Sequence, residues 1–227
     1  SFLVYDYPRA KIALSSDTAC FRSNVIRFID SSVYNGRSKI VSVNWYFDSL
    51  LTGSNKDTHN GFNPVDVSYS FIGNKSITLV VADSLGCSDT ADVSVTILDH
   101  PNAEIYHTDT NLCKRSNKFK FVDTSLKTTL NLNKWFWNFD VTNSPKRSNV
   151  DTSNSKGPHE IVYSDTGSYL VSLVASDDFG CSDTAFSKVY VRNEPRSIYT
   201  PFDSTGCVNK TIFKITNSST LNGKPIR

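Results

Sequence analysis

An all-β architecture of tandem sandwich domains is what this sequence predicts, and three observations predict it. Apolar and polar residues alternate with period 2 in short runs, as at Ile77, Leu79 and Val81 or Val171, Leu173 and Ala175, which sets alternate side chains on one face of a strand. Those runs stop at clusters of Gly, Asn, Asp and Ser, and no segment shows a convincing helical period. The chain also repeats itself. Ile77 to Ala91 reads ITLVVADSLGCSDTA and Val171 to Ala185 reads VSLVASDDFGCSDTA. Aligning Gly86 with Gly180 gives an offset of 94, and Pro8, Pro101 and Pro195, Cys20, Cys113 and Cys207, and Trp45 and Trp137 hold phase within two residues. Self-similarity at a fixed period is the signature of an array.

The 227 residues hold two complete repeats of about 93 residues, each the size of a small domain. The phase places the last strand of a preceding repeat at 1–7, full domains at 8–100 and 101–194, and the opening part of a third at 195–227. With no Met in the chain, this reads as an excerpt of a longer protein. A net charge of +2 from interleaved Lys, Arg, Asp and Glu gives no electrostatic footprint for nucleic acid. No apolar run approaches the roughly 18 residues of a membrane span, so direct membrane insertion is not expected. Five cysteines at fixed places in the repeat favour disulfides and an oxidising, extracytoplasmic setting.

In each repeat the elements follow in order. Ala10, Ile12 and Leu14 alternate as a first strand, and Val25 to Ile29 form a second that ends at Asp30-Ser31-Ser32. That ending recurs at Phe121 to Ser125 and is echoed at Ile215 to Ser219. Val41 to Asp48 and Lys134 to Asp140 come next. Period 2 puts Val43, Trp45 and Phe47 on one face and Trp135, Trp137 and Phe139 on the same face of the second copy. Trp45, Phe47, Trp137 and Phe139 are the predicted core aromatics, and Phe136 faces the other way, where it is expected to pack under a neighbouring strand or loop, the alternative being an exposed contact. Polar loops at 49–64 and 141–158 show no strand character and are the natural seats of binding variation, although a plain solvated loop accounts for them too. A strand then ends at Tyr69 or Tyr163, also assigned to the core, before the repeated hairpin closes the unit. Seven short strands with a strand-borne Trp predict an immunoglobulin-like β-sandwich.

Trp137-Asn138-Phe139-Asp140, Pro158-His159, Tyr163, Gly167-Ser168-Tyr169-Leu170-Val171-Ser172-Leu173 and Asp177 together resemble the polycystic-kidney-disease (PKD) domain. The family's tryptophan motif continues Gly-Asp-Gly, whereas Asp140 runs into Val141-Thr142 and Asp48 into Ser49-Leu50, and Lys75 stands where the second copy has Tyr169. Gly-Cys-Ser-Asp-Thr in the last hairpin and a Cys about 12 residues into the unit are similar to PKD arrays in giant surface and secreted proteins of Bacteroidota. The resemblance implies export by the type IX system, residence on the outer-membrane exterior or in the medium, and a role as a structural or adhesive stretch of a cell-surface adhesin, including those of gliding motility. The partners implied are neighbouring repeats of the same chain, surface polysaccharide and other cell-surface proteins. A spacer module of a secreted hydrolase and a lectin-like carbohydrate-binding module using the two loops are the competing readings.

In such a sandwich the turn after the first strand and the turn of the last hairpin lie at opposite poles. Cys20 and Cys113 fall near the first, Cys87 and Cys181 in the second. A disulfide needs Cα atoms within about 7 Å, which favours Cys20 to Cys181 as a staple between domains; the equal spacing also admits Cys20 to Cys87 and Cys113 to Cys181. No catalytic constellation is recognisable, and no enzyme activity or bound cofactor is expected. The four histidines show no metal-ligand spacing. The resemblance implies calcium at Asp177 and Asp178, although two carboxylates fall short of the six to eight oxygens calcium takes and a solvated turn is the simpler account. It also implies O-glycosylation at Asp-Ser/Thr sequons, namely Thr18, Ser49, Ser84, Thr90, Thr184 and Ser204. Turn composition alone explains the same dipeptides.

Overall fold

The computed structural model describes residues 7–34, 39–47, 53–126, 130–143, 147–201, 215–221 and 224–225. It divides into two compact units, one comprising Ser1–Pro101, Lys127–Asn131 and Phe179–Cys181, the other Asn102–Leu126, Leu132–Asp178 and Ser182–Arg227. The expected strand at 1–7 and the third-repeat cysteine Cys207 lie largely or wholly outside the described residues.

The first unit contains β1 (Ile12–Leu14), β2 (Thr18–Cys20), a 3-10 turn (Phe21–Ser23), β3 (Ile26–Asp30), β4 (Ile40–Tyr46), β5 (Thr58–Asn60), β6 (Val65–Val67), β7 (Gly73–Asp83) and β8 (Ser88–Leu98). Three strands form one sheet in the order β1-β3-β6, and five form the other in the order β2-β8-β7-β4-β5. The second unit repeats this plan with β9 (Ile105–His107), β10 (Asn111–Cys113), β11 (Phe119–Asp123), β12 (Leu132–Asn138), β13 (Thr152–Ser153), β14 (His159–Ile161), β15 (Gly167–Asp177) and β16 (Ser182–Arg192). Its sheets run β9-β11-β14 and β10-β16-β15-β12-β13. Each unit is thus an immunoglobulin-like β-sandwich. Beyond it, β17 (Tyr199–Pro201) pairs with β18 (Ile215–Asn217), and β19 (Thr220–Leu221) with β20 (Lys224–Pro225).

The strands differ from the expected seven in two places. The first strand is split: β1 lies antiparallel on β3, then the chain crosses to the other sheet, where β2 runs parallel to β8. Ser16 makes the break, its hydroxyl donating to the Thr18 carbonyl at 2.6 Å, a local bond that competes with the ladder. The polar stretches 49–64 and 141–158 are also not structureless throughout. β5 and β13 lie within them as edge strands on β4 and β12, with Asn44 opposite Asn60 and Trp137 opposite Ser153. An edge strand buries little, so Thr, His and Asn serve there and leave no apolar alternation to read.

The core follows the period-2 pattern. Trp45, Phe47, Trp137 and Phe139 are wholly buried, with Tyr69 and Tyr163 nearly so. Trp45 stacks on Phe47 at 6.1 Å and Trp137 on Phe139 at 5.7 Å, while Phe28 and Phe121 meet these rings from the opposite sheet. Each fully buried side chain of this size contributes roughly 1.5–3 kcal/mol or more. Trp135 sits at the margin, half-buried, its indole donating to Asp123 at 2.9 Å.

Polar locks recur at the same phase. Ser32 donates its N–H to Asp30 and its hydroxyl accepts from Lys11; Ser125, Asp123 and Glu104 repeat the arrangement, and Ser219, Asn217 and Ile198 do so again. This is the physical content of the Asp-Ser-Ser endings. A buried amide ties a 3-10 turn, Lys114–Ser116 in the second unit, to the strand end opposite: Asn117 Nδ2 donates to the carbonyls of Lys114 and Tyr163 at 2.7 and 3.0 Å, and its Oδ1 accepts the Tyr163 N–H at 2.6 Å. Asn24 makes the same three bonds to Phe21 and Tyr69.

The two cores differ behind the tyrosines. In the second unit Tyr169 stacks on Tyr163 at 3.8 Å, their hydroxyls donating to the Asp165 and Phe139 carbonyls. In the first, Lys75 takes that seat, 3 % exposed, with Nζ 3.1 Å from the Ile72 carbonyl and 6.0 Å from the Tyr69 ring centre. The Tyr69 hydroxyl is buried with no partner among the described residues. Burial pushes both tyrosine pKa values up and holds Lys75 below its ordinary value.

Three outcomes follow, each read from urea unfolding. Asn117→Ala strands two carbonyls and an N–H and is expected to cost about 2–3 kcal/mol. Tyr163→Phe is expected to cost about 1 kcal/mol, whereas Tyr69→Phe removes an unpartnered hydroxyl and costs nothing or stabilises. Between the depressed Lys75 pKa and its unfolded value of 10.5 the unfolded chain binds more protons, so the first unit is expected to gain stability as pH rises through that window. The Lys75→Met variant loses that gain.

Candidate functional site

Each unit has two distinct ends, set by the long hairpin. At one end lies the Gly-Cys-Ser-Asp-Thr turn. Asp83 caps it, Oδ1 accepting from the N–H groups of Leu85 and Cys87 at 2.9 Å each, and Gly86 supplies the φ of 87° that the turn requires. Two residues past Cys87, on β8, Asp89 accepts the Ala10 N–H at 2.8 Å, and on β16 Asp183 accepts that of Ala103 at 2.9 Å. The motif's Asp therefore pins the backbone where each repeat begins. At the other end Cys20 lies opposite Leu98, the last residue of β8, and Cys113 lies opposite Arg192, the last of β16.

Cys87 adjoins the first residue of β8, so about ten residues of strand, roughly 33 Å, separate its level from that of Cys20. No disulfide spans such a gap. Cys20 is instead bonded to Cys181, with Cα atoms 5.5 Å apart and a sequence separation of 161. Cys181 is 1 % exposed and belongs, with the rest of Phe179–Cys181, to the first compact unit. Cys87, half-buried, and Cys113, exposed, are free thiols.

The remaining sequence-assigned residues lie apart. Asp177 is buried at the end of β15, the counterpart of the turn-capping Asp83, and the adjoining Asp178 accepts from Asn133. Among the described residues no group of three or more His, Cys, Asp and Glu gathers to hold a metal. His159 packs edge-on against Trp137 and Phe139 at 5.3 and 5.2 Å, His59 faces Trp45 across the β4–β5 pair, and His100 stacks on Phe21. His107 bonds locally to Asp109. Of the proposed sugar acceptors, Ser84, Thr90 and Thr184 are exposed and Thr18 is half-buried on β2, while Ser49 and Ser204 lie outside the described residues. The 141–158 loop borders a shallow groove of about 390 Å³ lined by Arg147, Ser148, Asn149, Val162 and Ser164, with no aromatic platform. No helix among the described residues is long and apolar enough to cross a membrane.

Residues not assigned a role from sequence include Asn24 and Asn117, Asp89 and Asp183, and Asp140. Asp140 is wholly buried and accepts from the Asn143 side chain at 2.6 Å and the Arg147 N–H at 3.1 Å. For the two asparagines the signal was present: Arg-Ser-Asn recurs 93 residues apart, at 22–24 and 115–117, starting two residues after Cys20 and Cys113.

No protein-family model matches the chain, and no curated protein does. Among solved structures it is similar to the PKD1 domain of the Vibrio cholerae metalloprotease PrtV, at 27% identity over 40% of this chain and 96% of that one, TM-score 0.32. The PKD1 domain of Vibrio anguillarum Epp gives 22% identity over 42% and 96%, TM-score 0.33. The C-terminal 282-residue fragment of intimin, in complex with the intimin-binding domain of the translocated intimin receptor, gives 12% identity over 89% and 68%, TM-score 0.45.

Alkylation of the native, unreduced chain followed by peptide mass mapping is expected to label Cys113 fastest, then Cys87, and to return Cys20 and Cys181 as one linked peptide. A peptide linking Cys20 to Cys87 contradicts this arrangement.

Proposed function

We propose that the chain is a non-catalytic stretch of PKD-like repeats, at 8–100, 101–194 and from 195 onward, in the stalk of a long adhesin exposed outside the outer membrane. The observation that carries this reading is the Cys20–Cys181 bond, which joins a cysteine of one repeat to a cysteine of the next. Such a bond belongs to an oxidising compartment and limits how far the chain extends under load. The recurring entry lock of Asp89 and Asp183 and the short connection from Leu98 to Pro101 support the same role, since they hold each repeat to a fixed start. The resemblance of the Gly-Cys-Ser-Asp-Thr hairpin to Bacteroidota arrays supports export by the type IX system and service in attachment or gliding.

Antibodies raised against the chain are expected to label intact, unpermeabilised cells, and in-frame deletion of the two repeats is expected to reduce attachment or gliding without affecting growth. Labelling only after permeabilisation, or attachment and gliding unchanged by the deletion, overturns the reading.

A further inference from the structure

The two units share register and fold, so residues that differ between them at matching outward positions are not dictated by the sandwich. One such difference lies on the outer face of the five-stranded sheet. In the second unit the outward positions of β16 read Phe186, Lys188, Tyr190 and Arg192, aromatic and cation in alternation, between the buried Val189 and Val191. The matching positions of β8 are Asp92, Ser94, Thr96 and Leu98. On β12 the outward residues Lys134 and Phe136 replace Ser42 and Asn44 of β4.

These side chains form one surface. Phe136 pairs with Val174 and, through it, with Thr184; one step along the sheet, Asn138, Ser172 and Phe186 form the next row. Phe136 is 45 % and Phe186 62 % exposed, an apolar outlay the core does not use. Lys188 and Arg192 hold their charges over the Tyr190 ring at 5.6 and 4.9 Å, and Arg192 Nε also donates to Asn111 at 3.1 Å, so both cations are oriented before any ligand arrives. No Asp or Glu is found among the described outward residues of these strands, whereas the first unit carries Asp92 there, bonded to Thr78 at 2.6 Å, and no Lys or Arg.

We propose that this face of the second unit binds an acidic polysaccharide. Exposed aromatic side chains on a sheet face suit the C–H faces of sugar rings, and Lys134, Lys188 and Arg192 answer carboxylates along the polymer. An acidic peptide seeking to extend a sheet needs an edge, and β16 lies inside, between β10 and β15. The disulfide's oxidising compartment favours a glycan over a nucleic acid. The assignment deepens the adhesive reading above and rests on it for location alone: surface labelling and glycan binding fail separately.

The test uses the 227-residue chain and soluble polygalacturonate in titration calorimetry, with dextran, polyglutamate and oligodeoxythymidylate as comparisons. Binding to polygalacturonate is expected, weakened at least tenfold by Phe186→Ser with Lys188→Ser and lost progressively with added salt, with an unchanged thermal midpoint. The single Lys188→Ser variant, at an exposed site, carries the test if the double variant unfolds, and is expected to weaken binding several-fold. No binding, equal binding by the folded variants, or equal affinity for dextran, polyglutamate or the oligonucleotide overturns the proposal.

Discussion

An eleven-residue strand separates the two cysteines of each repeat, and much of what this chain can do depends on that length. Strands β8 and β16 hold one thiol at the hairpin end and the other at the exit, roughly 33 Å apart. A repeat therefore cannot satisfy its own cysteines. Cys20 finds Cys181, and Cys87 and Cys113 remain thiols. The C-terminal part of each strand carries its buried core residues, Val95 and Ile97 or Val189 and Val191, while the rest runs on beside β7 or β15 to the hairpin. The paired length of the hairpin thus sets the spacing, and the spacing dictates the covalent connectivity.

Around that constraint the scaffold is conservative between the two units and the surfaces are not. The buried Asn amide and the entry-locking Asp occur twice with the same partners, because each satisfies backbone groups that the fold takes from water, and the stacked Trp and Phe recur because they fill the centre of each core. Where the fold makes no demand, the units part. Lys75 and Tyr169 occupy one seat with opposite consequences for the tyrosine above it, and the outer sheet face is polar in one unit and aromatic and basic in the other.

The hairpins, the core face of β4 and β12 and the outward aim of Phe136 were legible in the sequence, since alternation reports which side of a strand meets the core. The split of the first strand was not, because a serine hydroxyl bonding two residues on leaves no apolar trace. The edge strands β5 and β13 were hidden for a related reason: Thr58-His59-Asn60 buries too little to alternate. Asn117 was visible as a repeated letter, but its role needed Tyr163, 46 residues away, to be placed beside it. The basic and aromatic stripe on β16 reads plainly as Phe-Ser-Lys-Val-Tyr-Val-Arg once the inner face is known.

The most direct test of the central claim is to pull the chain by its ends with a single-molecule force probe, oxidised and then reduced. The bond hides a stretch of 161 residues, so the reduced chain is expected to extend further by about 550 Å at 3.4 Å per residue. Equal contour lengths in the two states contradict a covalent link between cysteines of successive repeats.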